Sequence, residues 1–506
     1  MELSPELLDR LDLSVATQRA APAKGEFFPS RLEAEAALHD LDSYVQWVGA
    51  RFRLDFEFPQ AETVWVPRQR PGYRPVPHLS FLERVLFQAL IDLLAQELAD
   101  DIERLNLRSL AEPDEGERRA FERYPLEDNA IEFVGLADVA SYYEYVDHDQ
   151  LVRDIVDWTG DVDLADGIGQ ALTMLVGRQF GIPQGPRPSD VLADLYLSAI
   201  DRDQARRGVR AWRYNDDFLI GAAGEEHALL LLRDLETLLR GRGLVLNHEK
   251  NRFVDRETYA EWVDTLTQRL AEATIENVGL TFYGFDPEAF AAFEISDADP
   301  RAVEALFHQA MDDTEPDPYR VNVRILQQAL PVLAKEYSLA PLERLEELAT
   351  KWRAYARHVS LYLRELIGTD AEEEMLKAVG ALLEKRDDLV PWVRGWLLDP
   401  LTRSDEAIVP DRLSQKIDEW LNGEDEPWFV RGRCALALAQ RGLIPGQEAF
   451  NSIFERAPAP VRADLVAAVR LAEPRWGQEW IQALGPGEPL LQTIATWEPG
   501  DWSAVL

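Results

Sequence analysis

Cysteine is almost absent from this chain of 506 residues, Cys434 being the only one. That rules out an intrachain disulfide framework and a cysteine-built zinc site, and a reducing compartment, the cytoplasm, is the simplest expectation. Long apolar runs are missing too. Stretches such as Ala228–Leu232 fall far short of the roughly 20 residues that cross a bilayer, and the opening MELSPELLDRLDL is too charged for a secretory signal. The expectation is a soluble protein with no membrane partner. Positive charge is scarce: 53 Lys and Arg face 91 Asp and Glu, a formal net charge of −38. That balance argues against a general affinity for phosphate backbones, which calls for a basic face. Lysine is scarcest, with seven in the chain and only Lys24 and Lys250 before residue 335.

What is present describes a large globular chain. Its hydrophobic share of 46% over this length can bury two or three cores of ordinary domain size. Basic residues gather locally at Arg68, Arg70 and Arg74, and again at Arg202, Arg206, Arg207, Arg210 and Arg213. A positive groove on an acidic body therefore stays open, beside the plainer reading that these arginines solvate helix and loop surfaces.

Periodicity changes character along the chain. Up to about residue 290, short apolar runs alternate with amphipathic segments. Ile131–Ala137 reads as a buried strand, Ser189–Arg206 as a helix capped by Ser189 or Asp190, and Glu225–Arg240 as a helix stopped by Gly241 and Gly243, with the strand LVLN following. Trp212–Tyr214 and Phe218–Ile220 are extended candidates flanking Asn215-Asp216, a pair suited to a tight hairpin turn. From about residue 300 the pattern is helical. Pro391-Trp-Val-Arg394, Phe429-Val-Arg431 and Pro460-Val-Arg462 each open an apolar helical stretch, with arginines 37 and 31 residues apart. That spacing suits stacked helical pairs of the HEAT type; an irregular helical bundle is the alternative.

The chemistry centres on Asp216-Asp217, two adjacent carboxylates between apolar and aromatic runs. They repel each other unless a solvated turn or a positive partner holds them. Magnesium, a hard cation, would need at least one more carboxylate from another element, with substrate phosphates completing its shell. Asp138 stands at the carboxyl end of the Ile131–Ala137 strand, where a side chain can face a cleft. Three carboxylates gathered there suit a two-metal attack of a hydroxyl on the α-phosphate of a nucleotide.

The segments Leu136-Ala-Asp138-Val-Ala-Ser-Tyr-Tyr143, Gly181-Ile-Pro-Gln184-Gly185, Tyr214-Asn-Asp216-Asp217 and Leu246-Asn247-His-Glu-Lys250 resemble, in order and spacing, the palm motifs of reverse transcriptases. Gly72-Tyr-Arg74-Pro-Val-Pro and the helix after it resemble the family's fingers, so the likeness covers about residues 60–290. The resemblance implies an α+β fold: an N-terminal segment and fingers over 1–130, a right-hand polymerase palm over 131–290, and behind them an all-α, HEAT-like repeat domain over 300–506. It implies Asp138, Asp216 and Asp217 as catalytic ligands of Mg²⁺, with Mn²⁺ as a substitute. Tyr143 corresponds to the aromatic under the sugar that excludes a 2′-hydroxyl, with core packing as its alternative. Gln184 and Gly185 correspond to the loop against nucleotide and template, and Arg74 to a fingers cation on the triphosphate, with a surface ion pair as the alternative. Lys250 falls where the family places a lysine near the leaving pyrophosphate. An ammonium of pKa about 10.4 can donate a proton there, whereas a guanidinium above about 12 cannot.

The sequence also departs from mobile-intron enzymes. After Gln184 it runs Gly-Pro-Arg-Pro-Ser-Asp190 rather than a Ser-Pro-Leu type, and it contains no Cys/His nuclease module and no long basic tail. A helical array behind a short core resembles instead the abortive-infection and defence-associated bacterial enzymes. Some of these polymerise DNA without a template, some prime from a protein hydroxyl, and some form ring-like oligomers. The implied partners are deoxynucleotides, a DNA product, an RNA template or noncoding RNA, and further copies of the chain. Two alternatives stand beside this reading: a retron-like enzyme copying a dedicated RNA, and a catalytically silent scaffold acting through its helices.

Overall fold

The computed structural model describes residues 3–21, 27–29, 32–54, 61–68, 71–99, 115–265, 269, 298–313, 321–404, 411–484 and 489–496. Arg70, Lys24 and the expected palm end over 270–290 lie outside the described residues. The chain divides into two compact units. One comprises residues 1–25, 41–61 and 79–263; the other comprises 26–40, 62–78 and 264–506.

The first unit is built on a four-stranded antiparallel sheet. Its strands are β3 (Phe133–Asp138), β4 (Arg210–Tyr214), β5 (Asp217–Ala222) and β6 (Arg252–Asp255), in the order β4-β5-β3-β6. The apolar run expected at 131–137 forms β3 in the middle, with Val134 and Ala137 buried. Gly135 lets the next strand approach, since an added Cβ would come within 2.8 Å of the Phe253 ring. Asn215-Asp216 makes the two-residue hairpin turn between Tyr214 and Asp217, with Asn215 at φ 55°, a left-handed conformation that asparagine tolerates. The helix Glu225–Arg240 ends as its period and glycines indicate and packs on β3 and β5, while Arg187–Arg206 packs on β4. LVLN gives only a single bridge, Leu246 to Val139, in place of the expected strand.

In the second unit, β1 (Glu62–Pro67) and β2 (Tyr73–His78) pair antiparallel. From residue 298 onward every regular element among the described residues is a helix. Val321–Lys335, Ala356–Glu365, Pro391–Leu398, Trp428–Ala439, Ala459–Ala472 and Pro489–Thr496 each pack on the next, and Leu345–Thr350, Glu372–Lys385 and Asp411–Asn422 form a second row. The three arginines of the repeated motif all stand at the fourth position of their helices. Each reaches back to a carbonyl of the preceding segment: Arg394 to Leu389 at 3.1 Å, Arg431 to Leu421 at 2.8 Å and Arg462 to Ala457 at 3.0 Å. Each also lies over an aromatic ring, Trp420, Trp428 and Phe454 respectively. The motif therefore ties each helix start to the segment before it, with flat guanidiniums suited to both tasks.

The β1–β2 hairpin, expected among the fingers with the helix that follows it, packs within the second unit. Phe27 O accepts from the indoles of Trp392 (2.6 Å) and Trp396 (3.2 Å), Phe28 packs on His78 and Phe429, and Glu62 accepts from Trp428 N at 2.8 Å. The helix Phe81–Glu97, closed by a Ser80/Glu83 capping box, belongs to the first unit.

Candidate active site

Two strand ends and one turn bring the acidic residues together. Asp138, the last residue of β3, is the register partner of Asp217, the first of β5. Asp216 sits in the hairpin turn, and its carbonyl accepts from Val139 N at 3.2 Å. The segment after the helix Glu225–Arg240 closes on the same edge, where Ala140 N donates to Val245 O (2.9 Å) and Asn247 N to Asp138 O (2.7 Å). This places Asn247 Nδ2 3.2 Å from one Asp138 carboxylate oxygen and Lys250 Nζ 2.5 Å from the other.

The electrostatics follow from that convergence. Burial pushes the Asp216 carboxyl well above the usual carboxylate range, and the charges of Asp217 and Asp138 push the same way, while Lys250 pulls it down. Behind the turn, Arg213 is buried and paired with Asp194 (2.9 Å) and Asp201 (2.7 Å), and it also donates to Asn215 O at 3.0 Å. Much of the arginine cluster before the hairpin is thus neutralised rather than presented as a groove: Arg207 pairs with Asp203, Arg210 with Asp128, and Arg202 covers the Trp158 ring.

Tyr143 lies on the short turn after β3, and its hydroxyl donates to Asp190 Oδ1 at 2.5 Å. The Gln184–Gly185 loop runs alongside. Ile182 N donates to Tyr143 O and Gly181 N to Val146 O, both at 2.7 Å, and His148 Nε2 meets Gly181 O at 2.6 Å. Burial lowers the pKa of that imidazole. Gly185 takes φ 110°, a region closed to ordinary side chains, which explains the glycine after Gln184. Neither Ser189 nor Asp190 caps the helix as expected. The helix starts earlier, at Arg187 behind Pro186, and both side chains reach outward, Ser189 Oγ to Pro183 O and Asp190 to Tyr143. Arg74 is not brought to this cluster within one unit: it lies on β2 of the other unit, its guanidinium over Phe27.

The donor set suits a hard divalent cation, because carboxylate oxygens converge where their mutual repulsion calls for positive charge. It is not a ready-made cage. Among the described residues no three His, Cys, Asp or Glu side chains are arranged to hold a metal ion, and Asp138 directs its oxygens to Lys250 and Asn247. Asn247, Asp190 and His148 were missed as site residues in the sequence. Only Asn247 had a local signal, its place in the quoted Leu246–Lys250 segment.

An antiparallel sheet thus crowds three carboxylates onto the end of one strand and the adjoining hairpin. Residues 66–282 match the family described as reverse transcriptase (RNA-dependent DNA polymerase), so the chain carries a reverse transcriptase domain. Among solved structures, the chain is similar to telomerase from Candida albicans in complex with a TWJ fragment of telomeric RNA, at 11% identity and TM-score 0.32, covering 68% of this chain and 65% of that one. It is also similar to apo telomerase from Candida tropicalis, at 12% identity and TM-score 0.33, covering 67% and 69%. No curated protein matches the chain. Among the described residues no helix is long and apolar enough to cross a membrane.

Proposed function

We propose that the protein is a reverse-transcriptase-like DNA polymerase that adds deoxynucleotides by phosphoryl transfer. The observation that carries this reading is the register of Asp138 against Asp217 with Asp216 in the turn beside them. Asp138, Asp216 and Asp217 would hold Mg²⁺, with Mn²⁺ as a substitute, and the bound cations would withdraw charge from the α-phosphate and the attacking hydroxyl. The hydroxyl oxygen, its proton passing to water, bonds to α-phosphorus as the bond from α-phosphorus to the bridging oxygen breaks and pyrophosphate leaves. Lys250 supplies a proton to the departing oxygen. Tyr143 packs under the sugar and excludes a 2′-hydroxyl, Gln184 and Gly185 shape the loop against nucleotide and template, and Arg74 meets the triphosphate.

The helical rows and their repeated arginine motif support a HEAT-like array over 300–506. A short polymerase core followed by such an array supports, by resemblance, a cytoplasmic defence enzyme of the abortive-infection kind, working as a homo-oligomer on DNA without a template or from a protein primer. A retron-like enzyme with a dedicated RNA template is the second reading within the same chemistry.

Incorporation of labelled deoxynucleotide by the purified full chain in Mg²⁺ tests the proposal, with Asp216→Ala and Asp217→Ala as controls. Both changes remove a charge from mutually repelling carboxylates and bury nothing new, so the fold should persist. Incorporation should vanish, and a rate above about a tenth of the parent in either variant would sink the assignment. Sequencing nucleic acid that copurifies with the chain separates the templated from the untemplated reading.

A further inference from the structure

The stretch Gly-Pro-Arg-Pro-Ser-Asp190, which departs from the mobile-intron pattern, finds a use in the structure. Ser189 and Asp190 are the third and fourth residues of the helix Arg187–Arg206, past the position from which such residues cap a helix. Here the N-cap is Pro186 and makes no side-chain bond, which leaves both polar side chains to reach neighbouring segments. Ser189 Oγ donates to Pro183 O at 2.5 Å, one residue before Gln184. Asp190 Oδ1 accepts from the Tyr143 hydroxyl at 2.5 Å. One turn further on, Ala193 O accepts from the Tyr142 hydroxyl at 2.5 Å, and the rings of Tyr142 and Tyr143 meet edge to face at 5.6 Å. A single helix start therefore fastens the aromatic turn and also the glutamine loop.

We propose that Asp190 is a positioning residue for sugar discrimination: by holding the Tyr143 hydroxyl it fixes the ring and so sets the preference for deoxy- over ribonucleotides. The inference rests on the reading of Tyr143 as the residue under the sugar. A steric wall rejects a 2′-hydroxyl only as far as it cannot yield. A ring fixed at its Cα alone can turn about χ1 and χ2 to admit an extra oxygen, whereas one also tethered at its hydroxyl must break a charge-assisted hydrogen bond to do so. A phenylalanine would fill the same volume without the tether. The tether is maintained at a cost, since partial burial pushes the Asp190 carboxyl up.

The test compares kcat/KM for a deoxynucleotide and its ribonucleotide counterpart in the full chain and in Asp190→Ala, Asp190→Asn, Tyr143→Phe, Tyr143→Ala and the double variant Asp190→Ala/Tyr143→Phe. Asp190→Ala and Tyr143→Phe should each lower the deoxy/ribo ratio roughly five- to tenfold or more, mainly through a lower KM for the ribonucleotide. The double variant should be no worse than either single one, because each removes the same bond. Asp190→Asn keeps an oxygen that accepts from the hydroxyl and should keep the parental ratio. A parental ratio in Asp190→Ala or Tyr143→Phe, or additive losses in the double variant, overturns the proposal while Tyr143→Ala still lowers the ratio. If Tyr143→Ala leaves the ratio unchanged, the reading of Tyr143 has failed and this inference fails with it. Should Asp190→Ala not fold, Tyr143→Phe and Asp190→Asn decide the question between them.

Discussion

Lys250 Nζ stands 2.5 Å from Asp138 Oδ1, an ion pair that joins residues 112 apart in the chain across the edge of the sheet. Asp138 is buried, and Lys250 is exposed over about a quarter of its side chain. The lysine is thus the cation that stands against the converging carboxylates, and it comes from the segment whose backbone is tied to Asp138 through Asn247 N. A group in that place can serve by its charge alone or by its proton.

Lys250→Arg separates the two roles, since it conserves charge but replaces an ammonium, which can give up a proton, with a guanidinium, which does not. The chemical step should fall at least tenfold, within the ~10²–10⁴ range of general acids, while nucleotide affinity changes little. Single-turnover incorporation at saturating nucleotide measures this. Parental chemistry in Lys250→Arg would leave the lysine as a counter-charge to Asp138 and no more.

Asp190 should give the stability of the chain a pH dependence of its own. Burial pushes its carboxyl up to about 6 from 3.8, and Asp194 adds to this, while the Tyr143 hydroxyl and Arg187 pull it down. The folded state binds the proton more tightly than the unfolded chain, so this group's contribution is fully present below about pH 4 and is lost as pH rises through about 6. Relative to Asp190→Asn, which cannot ionise, the parent should lose on the order of 2–3 kcal/mol between pH 4 and pH 7.5. Urea unfolding of both proteins at the two pH values checks it, and parallel pH curves would mean that the carboxyl is solvated in the folded chain.

The parts of this architecture that local chemistry dictates were legible in the sequence. The Asn215-Asp216 hairpin follows from turn propensity flanked by apolar strands, and Glu225–Arg240 from its period and the glycines behind it. β6 was not legible, because Arg-Phe-Val-Asp is short, half-exposed and polar at both ends, so it lacks the alternation of a strand with one buried face. The Asp138–Lys250 and Tyr143–Asp190 bonds join segments 112 and 47 residues apart, and nothing in either segment marks its partner. The same holds for the β1–β2 hairpin. Its contacts within the second unit reach Trp428 and Phe429, more than 300 residues downstream.

Gly395 should prove intolerant of a methyl group. A Cβ there would stand 2.3 Å from the edge of the Phe429 ring, and that ring is buried against Phe28 and His78, so it has nowhere to swing. Gly395→Ala should raise helix propensity yet destabilise the helical unit by about 1–3 kcal/mol through overpacking. Thermal unfolding decides the sign: a higher midpoint in Gly395→Ala would show that the Pro391–Leu398 and Trp428–Ala439 helices pack less tightly than this geometry requires.

The most consequential charge in the helical unit is Asp399, which is fully buried and faces three arginines. Arg364 Nε donates to it, Arg433 Nη1 and Arg403 Nε lie at 3.5 Å, and Ser360 Oγ is at 3.4 Å. Arg433 is shared with Asp464, at 3.0 Å to both of its oxygens. Burial pushes the Asp399 carboxyl up, but the three guanidiniums together carry it below the usual range. Arg403 shows the converse strain, its pKa lowered to about 10 by burial and by Arg364 and Arg433, against the pull of Asp399. Three cations thus share two carboxylates, and the members of the cluster should respond differently to substitution. Asp399→Asn removes the central counter-charge and should cost about 3–5 kcal/mol, the penalty for leaving buried charge unpaired. Arg403→Met keeps the length of the side chain and relieves like-charge repulsion, so it should be neutral or stabilising by up to about 1 kcal/mol. Calorimetric unfolding of both variants measures the contrast. If Arg403→Met were as damaging as Asp399→Asn, the third arginine would be paired as fully as the other two, and the account of a cluster held with excess positive charge would be wrong.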